Sequence, residues 1–367
     1  MSPVRSSEIL NARALNRALL ARQLLLERRA LPVAQAVEHL VGMQTQEPQA
    51  PYLGLWARLE AFAPDELSDL IAARRVVRGG LMRATLHLVT DRDWVRLRQL
   101  MGPVLARNFN GSPFSKALAG VDVDELLAHG RALLAERPRT RAELGRELAA
   151  QRPGVDRTAL AYAVSYLEPI VQVPPRGLWR HSGQARWTTD EAWMGTKSAA
   201  HFQLHELIER YLGAFGPATV QDIAAWSGLT GLSQAVRRAR EGLRSFRDEQ
   251  GRELLDVSDG PLPDPDTPAP PRFLPPFDNV ILSHADRARI VSPSHRGALS
   301  TDRLMRTFLV DGFVAGIWHL ERTTLHVRPS RRLRQADLQA VGAEAERLVA
   351  FAAPDQPKHR VRVHEPT

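Results

Sequence analysis

Two glutamines one residue apart, Gln44 and Gln46, lie in the run Val41-Gly42-Met43-Gln44-Thr45-Gln46-Glu47-Pro48-Gln49-Ala50-Pro51-Tyr52-Leu53-Gly54-Leu55-Trp56. On an extended or kinked segment, side chains at i and i+2 face roughly the same way. Each primary amide carries both donors and an acceptor, so the pair can hold a water molecule or read a base edge with no proton of its own to lose. The same run also suits a helix-to-helix corner in which the amides cap loose backbone ends. Other chemistry is sparse. His201 and His205 sit at i, i+4 with Glu206 adjacent, a metal face or a plain helix surface; the order is not His-Glu-x-x-His, and no third ligand follows. His284-x-Asp286 is weaker still. There is no Gly-rich phosphate loop and no Gly-x-Ser-x-Gly elbow, and the absence of cysteine excludes disulfides, Cys-ligated zinc and iron–sulfur clusters.

The elements that must position the pair can be read in order. Residues 7–27 read as a helix with Leu15, Leu19, Leu20 and Leu24 on its apolar face, and a second helix enters at Pro32 and leads into the glutamines. Another begins at Pro64-Asp65-Glu66, acidic residues in its first turn. Two β-prone runs flank Gly79-Gly80 and predict a hairpin turning there; helices followed by a short hairpin make a winged helix. A second such unit carries the capping box Thr140-x-x-Glu143. A third carries helix, Gly turn and helix around Gly228, with Arg237, Arg238 and Arg240 on a recognition helix or a solvated face. Pro-dense residues 261–276 predict a linker. Beyond it strands are predicted at 279–282, 307–310, 313–318 and 323–327, with Asp311-Gly312 as a hairpin turn, then a helix over 336–352 and a last strand at 361–363. The fold expected is α+β: winged helix-turn-helix units at 1–118, 119–198 and 199–260, the linker, and a β-rich, barrel-like domain at 277–367.

At 367 residues two to four domains are expected. No run of about 18 apolar residues and no signal peptide is recognisable, which predicts a cytoplasmic protein. The net charge is +8, nearly all of the positive charge from arginine, the only lysines being Lys116, Lys197 and Lys358. Arginine's planar fork suits phosphates and narrow grooves, and a nucleic-acid partner fits; a GC-rich genome would also enrich arginine.

The run Gly42-Met43-Gln44-Thr45-Gln46 with Ala50-Pro51-Tyr52 and Leu55-Trp56 resembles the signature of AlkZ-type bacterial DNA glycosylases. Pro276-Phe277-Asp278-Asn279, Asp286-Arg287-Ala288-Arg289 and Val310-Asp311-Gly312 extend the likeness over most of the chain. The family includes a YcaQ-like branch with Asp in place of the second Gln. The resemblance implies tandem winged helices, Gln44 and Gln46 as the catalytic pair holding the attacking water, and no cofactor or metal. Thr45 departs from the aliphatic or small residue usual between them. Alkylation at N7 or N3 puts a positive charge on a purine, so the base leaves without an acid catalyst; positioning water and stabilising the oxocarbenium-like sugar remain. Gln at 46 implies the AlkZ-like branch, acting on bulky N7-alkylguanine adducts or interstrand crosslinks left by DNA-alkylating natural products, in repair or self-resistance. The expected partner is double-stranded DNA, bound by a monomer. Candidate DNA contacts are Arg83 and His87 on the first hairpin, Arg287 and Arg289, and the Asp311-Gly312-Phe313 tip as a groove wedge. No lysine lies near the motif, so a lyase step is not expected. The competing reading is a non-catalytic winged-helix transcription regulator.

Overall fold

The computed structural model describes residues 8–195, 202–292 and 305–366 and shows a mixed α+β chain with three sheets. The central sheet positions the glutamines. Its strands run in the order Met43–Gln44, Leu86–Thr90, Val76–Gly80, Ile170–Val173 and Arg186–Thr189, all antiparallel. It therefore takes strands from both the first and the second sets of helices. The 76–90 hairpin is present, but its turn is Leu81–Thr85, a short 3-10 segment in which Arg83 and Ala84 adopt left-handed φ of 54° and 55°. Gly79 and Gly80 lie within the strand instead of the turn. A Cβ on Gly79 would come within 2.2 Å of the Trp94 ring, so the residue type there answers to close packing.

The first helix is Ala12–Arg22, started by the Asn11 side chain, which accepts from the Ala14 N–H. It is shorter than predicted because Ile9–Leu10 forms a two-residue strand parallel to Arg247–Asp248. Val33–His39 and Pro64–Ala72 begin where Pro32 and Pro64 predict. Thr140 and Glu143 form both bonds of their capping box, 3.2 and 2.7 Å. Residues 204–257 run as helices Leu204–Phe215, Val220–Ser227 and Ser233–Ala239 followed by an antiparallel hairpin of Leu243–Asp248 with Glu253–Val257. Gly228 closes the middle helix at a left-handed φ of 80°.

The Pro-rich stretch is held against the first helix: Arg13 and Arg17 donate to the carbonyls of Pro265 and Thr267, both at 2.7 Å. Its end, Arg272–Phe273, joins the C-terminal sheet. That sheet corrects the barrel expectation. Its order is 360–363, 324–329, 313–321, 307–310, 272–273, with an open edge at each end. Helix Gln335–Ala352 lays Val341, Ala345, Leu348 and Val349 over one face, so the apolar surface is covered by a helix without the sheet closing on itself. The strand expected at 279–282 is a helical turn, because the Asp278 carboxylate accepts the Val280 N–H as an N-cap. Among the described residues no helix is long and apolar enough to cross a membrane.

Candidate active site

Gln44 ends the two-residue strand opposite His87, and the ladder continues through Thr45 N–H to the Leu86 carbonyl at 2.8 Å. Gly42 makes the approach possible. Its φ is +87°, and a Cβ there would lie 2.6 Å from Val89 Cγ1 and 3.1 Å from the Leu88 carbonyl. Gln44 is buried and Gln46 exposed, so the pair spans the rim of the sheet. Gln44 Oε1 accepts from Arg83 Nη2 at 2.8 Å, and Gln46 Oε1 accepts from the Leu86 N–H at 3.0 Å. Each oxygen has a second lone pair, so both amides are held in one orientation while one acceptor site on each remains for water.

Thr45 between them is fully buried, and Arg78 on the neighbouring strand explains its residue type. Arg78 Nε donates to the Thr45 hydroxyl at 3.2 Å and Nη2 to its carbonyl at 3.0 Å. Arg78 is itself buried and forms no ion pair among the described residues; burial, with Arg176 nearby, lowers its pKa from 12.5 to about 10. A charged group buried without a carboxylate is costly; here Nε and Nη2 donate to the residue joining the two amides while the buried Nη1 makes no hydrogen bond among the described residues.

The approach segment is fixed from the other side by the Pro276–Asn279 motif. Asp278 forms a paired bond with the buried Arg58 guanidinium at 2.7 and 2.9 Å, which sets the helical turn. Asn279 then donates from Nδ2 to the carbonyls of Gly42 at 2.9 Å and Leu40 at 3.3 Å, immediately before the glutamines. Downstream, Arg306 pairs with Glu47 at 2.5 Å, and Gln49 bonds the Leu178 carbonyl and the Arg180 N–H. The roles of Arg78 and Arg306 carry no signal in the sequence; Asn279 stands in a recognisable motif whose task only the fold reveals.

The remaining predicted residues divide. Arg83 and His87 join the glutamines. Arg83 also donates to the Trp226 carbonyl at the end of helix Val220–Ser227, tying the third helical set to the site. His87 is buried, its pKa pushed down to about 3 by desolvation with Arg83 adding to it, so it is a neutral imidazole sharing a 3.0 Å bond with the Thr85 carbonyl. Arg289 is buried with its guanidinium on the Pro217 carbonyl at 2.8 Å; Arg287 is half-buried. Asp311 turns back onto the first helix, bonded to Arg13 at 2.6 Å and to Arg17, and the Gly312 carbonyl accepts from Asn16 at 2.7 Å. A Cβ on Gly312 would meet Asn16 Oδ1 at 2.3 Å, so the tip is docked, with Phe313 half-buried beside it. His284 is a core residue, its ring bonded to Ser283 and the Phe215 carbonyl. His201 lies outside the described residues, and Glu206 caps its own helix by accepting the Gln203 N–H. Arg237 and Arg238 are exposed, and Arg240 pairs with Glu253.

Gln44 at the end of its strand and Gln46 just beyond it each have a bonded amide oxygen. The AlkZ-like DNA glycosylase family model matches residues 37–351, and the chain belongs to that family: it is a DNA glycosylase, not a non-catalytic regulator. Its sequence is 26% identical over 356 residues to the interstrand DNA cross-link repair glycosylase of Streptomyces sahachiroi, covering 87% of this chain and 91% of that protein. The solved structure of Streptomyces sahachiroi DNA glycosylase AlkZ matches with a TM-score of 0.75 at 22% identity, over 97% of this chain and 100% of that one, which establishes a shared fold.

Proposed function

We propose that the enzyme is a monofunctional glycosylase that hydrolyses the N-glycosidic bond of alkylated purines in duplex DNA. N7-alkylguanines are its main substrates, bulky natural-product adducts and interstrand crosslinks among them. The observation that carries this reading is that Gln44 and Gln46, two residues apart at the rim of the sheet, each have a bonded amide oxygen and that the neighbouring His87 and Glu47 offer no free base among the described residues. His87 is neutral and buried, and Glu47 is occupied by Arg306. Such a site suits a leaving group that is already cationic. The water accepted by the two amide oxygens is aimed at the anomeric carbon, and the same partial negative charges stabilise the sugar cation as the bond breaks. Arg83 keeps the Gln44 oxygen turned inward, and Arg78 and Asn279 hold the backbone that spaces the two amides. The helix-and-hairpin sets at 12–90, 123–189 and 204–257 are read as tandem winged-helix units that clamp the duplex, with the protein acting as a monomer in the cytoplasm. The crosslink specificity named for the Streptomyces sahachiroi relative supports including crosslinks.

The test is release of free base from duplexes carrying one 7-methylguanine or one interstrand crosslink, by wild type, Gln44→Ala and Gln46→Ala. The wild type is expected to release base, and each variant to keep its DNA affinity while losing roughly 100-fold or more in rate, the usual scale for removing one such polar group. Equal rates in all three proteins, or wild-type silence on both substrates, would overturn the reading.

A further inference from the structure

The solvent face of the C-terminal sheet carries a histidine cluster that the glycosylase site does not use. His319 and His326 are directly opposed across the antiparallel strands Phe313–Glu321 and Thr324–Pro329, their rings parallel within 2° and 4.6 Å apart. Glu321, two residues along from His319, shares its face, and its carboxylate lies 3.7 Å from His326 Nε2. One ligand atom from each of the three lies within 4.8 Å of the others. Two donors at i, i+2 on one strand and a third from the next strand form a facial set open on the solvent side.

We propose that His319, Glu321 and His326 form a binding site for a zinc-class divalent ion. Two imidazoles and a carboxylate are the donor set of open, water-bearing zinc sites, and they favour zinc over magnesium or calcium. Tetrahedral coordination at about 2.0–2.1 Å places ligand atoms about 3.3 Å apart, so donors up to 4.8 Å apart need close by about 1.5 Å. His319 and Glu321 are exposed, which leaves their side chains room to turn, whereas the His326 side chain is only 12% exposed. His364, just past the final strand Arg360–Val363, supplies the outer partner: its Nε2 lies 2.9 Å from His326 Nδ1. With the Nδ1 proton donated there, as metal-bound histidines commonly donate their other ring proton, His326 Nε2 keeps its in-plane lone pair free 3.7 Å from the Glu321 carboxylate, and His319 must turn out of its stack to complete the set. Burial, His319, Arg362 and Arg328 push the His326 pKa down, while Glu321 pushes it up. The two arginines also repel an incoming cation and weaken the site. Sequence spacing hides the cluster, because His326 lies seven positions after His319 and only the register of the hairpin brings them together. Through His364, the ion would fasten the parallel edge strand that ends the chain.

Untagged full-length protein, stripped with chelator, is titrated with Zn2+ by calorimetry, and Co2+ loading is followed by its visible absorption. The expected result is one saturable Zn2+ per chain and the visible bands of tetrahedral Co2+, with a raised thermal midpoint. His319→Ala and His326→Ala should abolish binding, His364→Ala should weaken it about ten-fold, and His205→Ala should leave it unchanged. The proposal is overturned by the absence of saturable binding in the wild type, or by binding that survives His319→Ala and His326→Ala. Neither readout depends on base release, so the result stands apart from the glycosylase reading.

Discussion

Replacing Arg78 with methionine tests whether the backbone between the glutamines is what the site depends on. Two opposing effects set the stability change. Burial lowers the Arg78 pKa from 12.5 to about 10, so at ~1.36 kcal/mol per unit keeping this group charged costs the fold about 3 kcal/mol, which methionine relieves. Against that, two bonds to Thr45 are lost, each contributing roughly 1.5–3 kcal/mol from a charged donor. The net change is then about 0–3 kcal/mol, small enough for the protein to fold. Catalysis has no such offset. Thr45 keeps its N–H bond to Leu86 but loses both bonds from Arg78, and a displacement of about 1 Å at a positioned group can cost ~100-fold. Single-turnover release of 7-methylguanine should fall about 30–100-fold while DNA affinity, measured by fluorescence anisotropy, stays within a factor of about two. Arg78→Lys, whose compact ammonium cannot reproduce the planar fork, should fall between. A wild-type rate in Arg78→Met would refute the reasoning, and so would a loss of affinity equal to the loss of rate, since that would make Arg78 a phosphate contact.

Asn279→Ala should slow base release about ten-fold with unchanged DNA affinity, by leaving the Gly42 carbonyl without its bond at a cost of about 1–2 kcal/mol; a shift confined to affinity would contradict this. Gly42→Ala should destabilise by about 2 kcal/mol, from the positive φ and the contact with Val89, and an unchanged urea midpoint would count against it. Acid should unfold the protein early. His87 and His284 have folded pKa values pushed down to about 3 against 6.5 unfolded, so the unfolded chain takes up protons first below pH 6.5. Stability is complete above that value and drains away as pH falls toward 3, by about 2 kcal/mol per histidine at pH 5. Matching urea midpoints at pH 7.5 and pH 5 would refute it.

What could be read from the sequence was what neighbours in the chain decide. The Thr140–Glu143 cap, the Asp311-Gly312 turn, the proline-led helix starts and the Gln-x-Gln run all depend on residues a few positions apart. What escaped depends on distant partners. Gly79-Gly80 reads as a turn because glycine usually marks one, yet Trp94 needs the space above Gly79. Val280, Ile281 and Leu282 read as a strand, but Arg58 fixes Asp278 and the cap bends the chain into a helical turn. The C-terminal strands were placed nearly correctly, whereas their failure to close is set by the helix laid across them. At the site, the glutamines were legible; Arg78, thirty-three residues from Thr45, was not.

The first helix is made long before several of its buried partners. Arg22 is fully buried against Asp256, 234 residues later, and Asn16 waits for the carbonyl of Gly312, 296 residues on. At about 5–20 residues per second, synthesis leaves Arg22 without its carboxylate for roughly 10–50 s, with Leu19 and Leu20 lacking their final cover. The growing chain thus carries this helix with Leu19 and Leu20 partly uncovered until the third helical set emerges. Folding of residues 12–22 is therefore tied to completion of segments more than two hundred residues away.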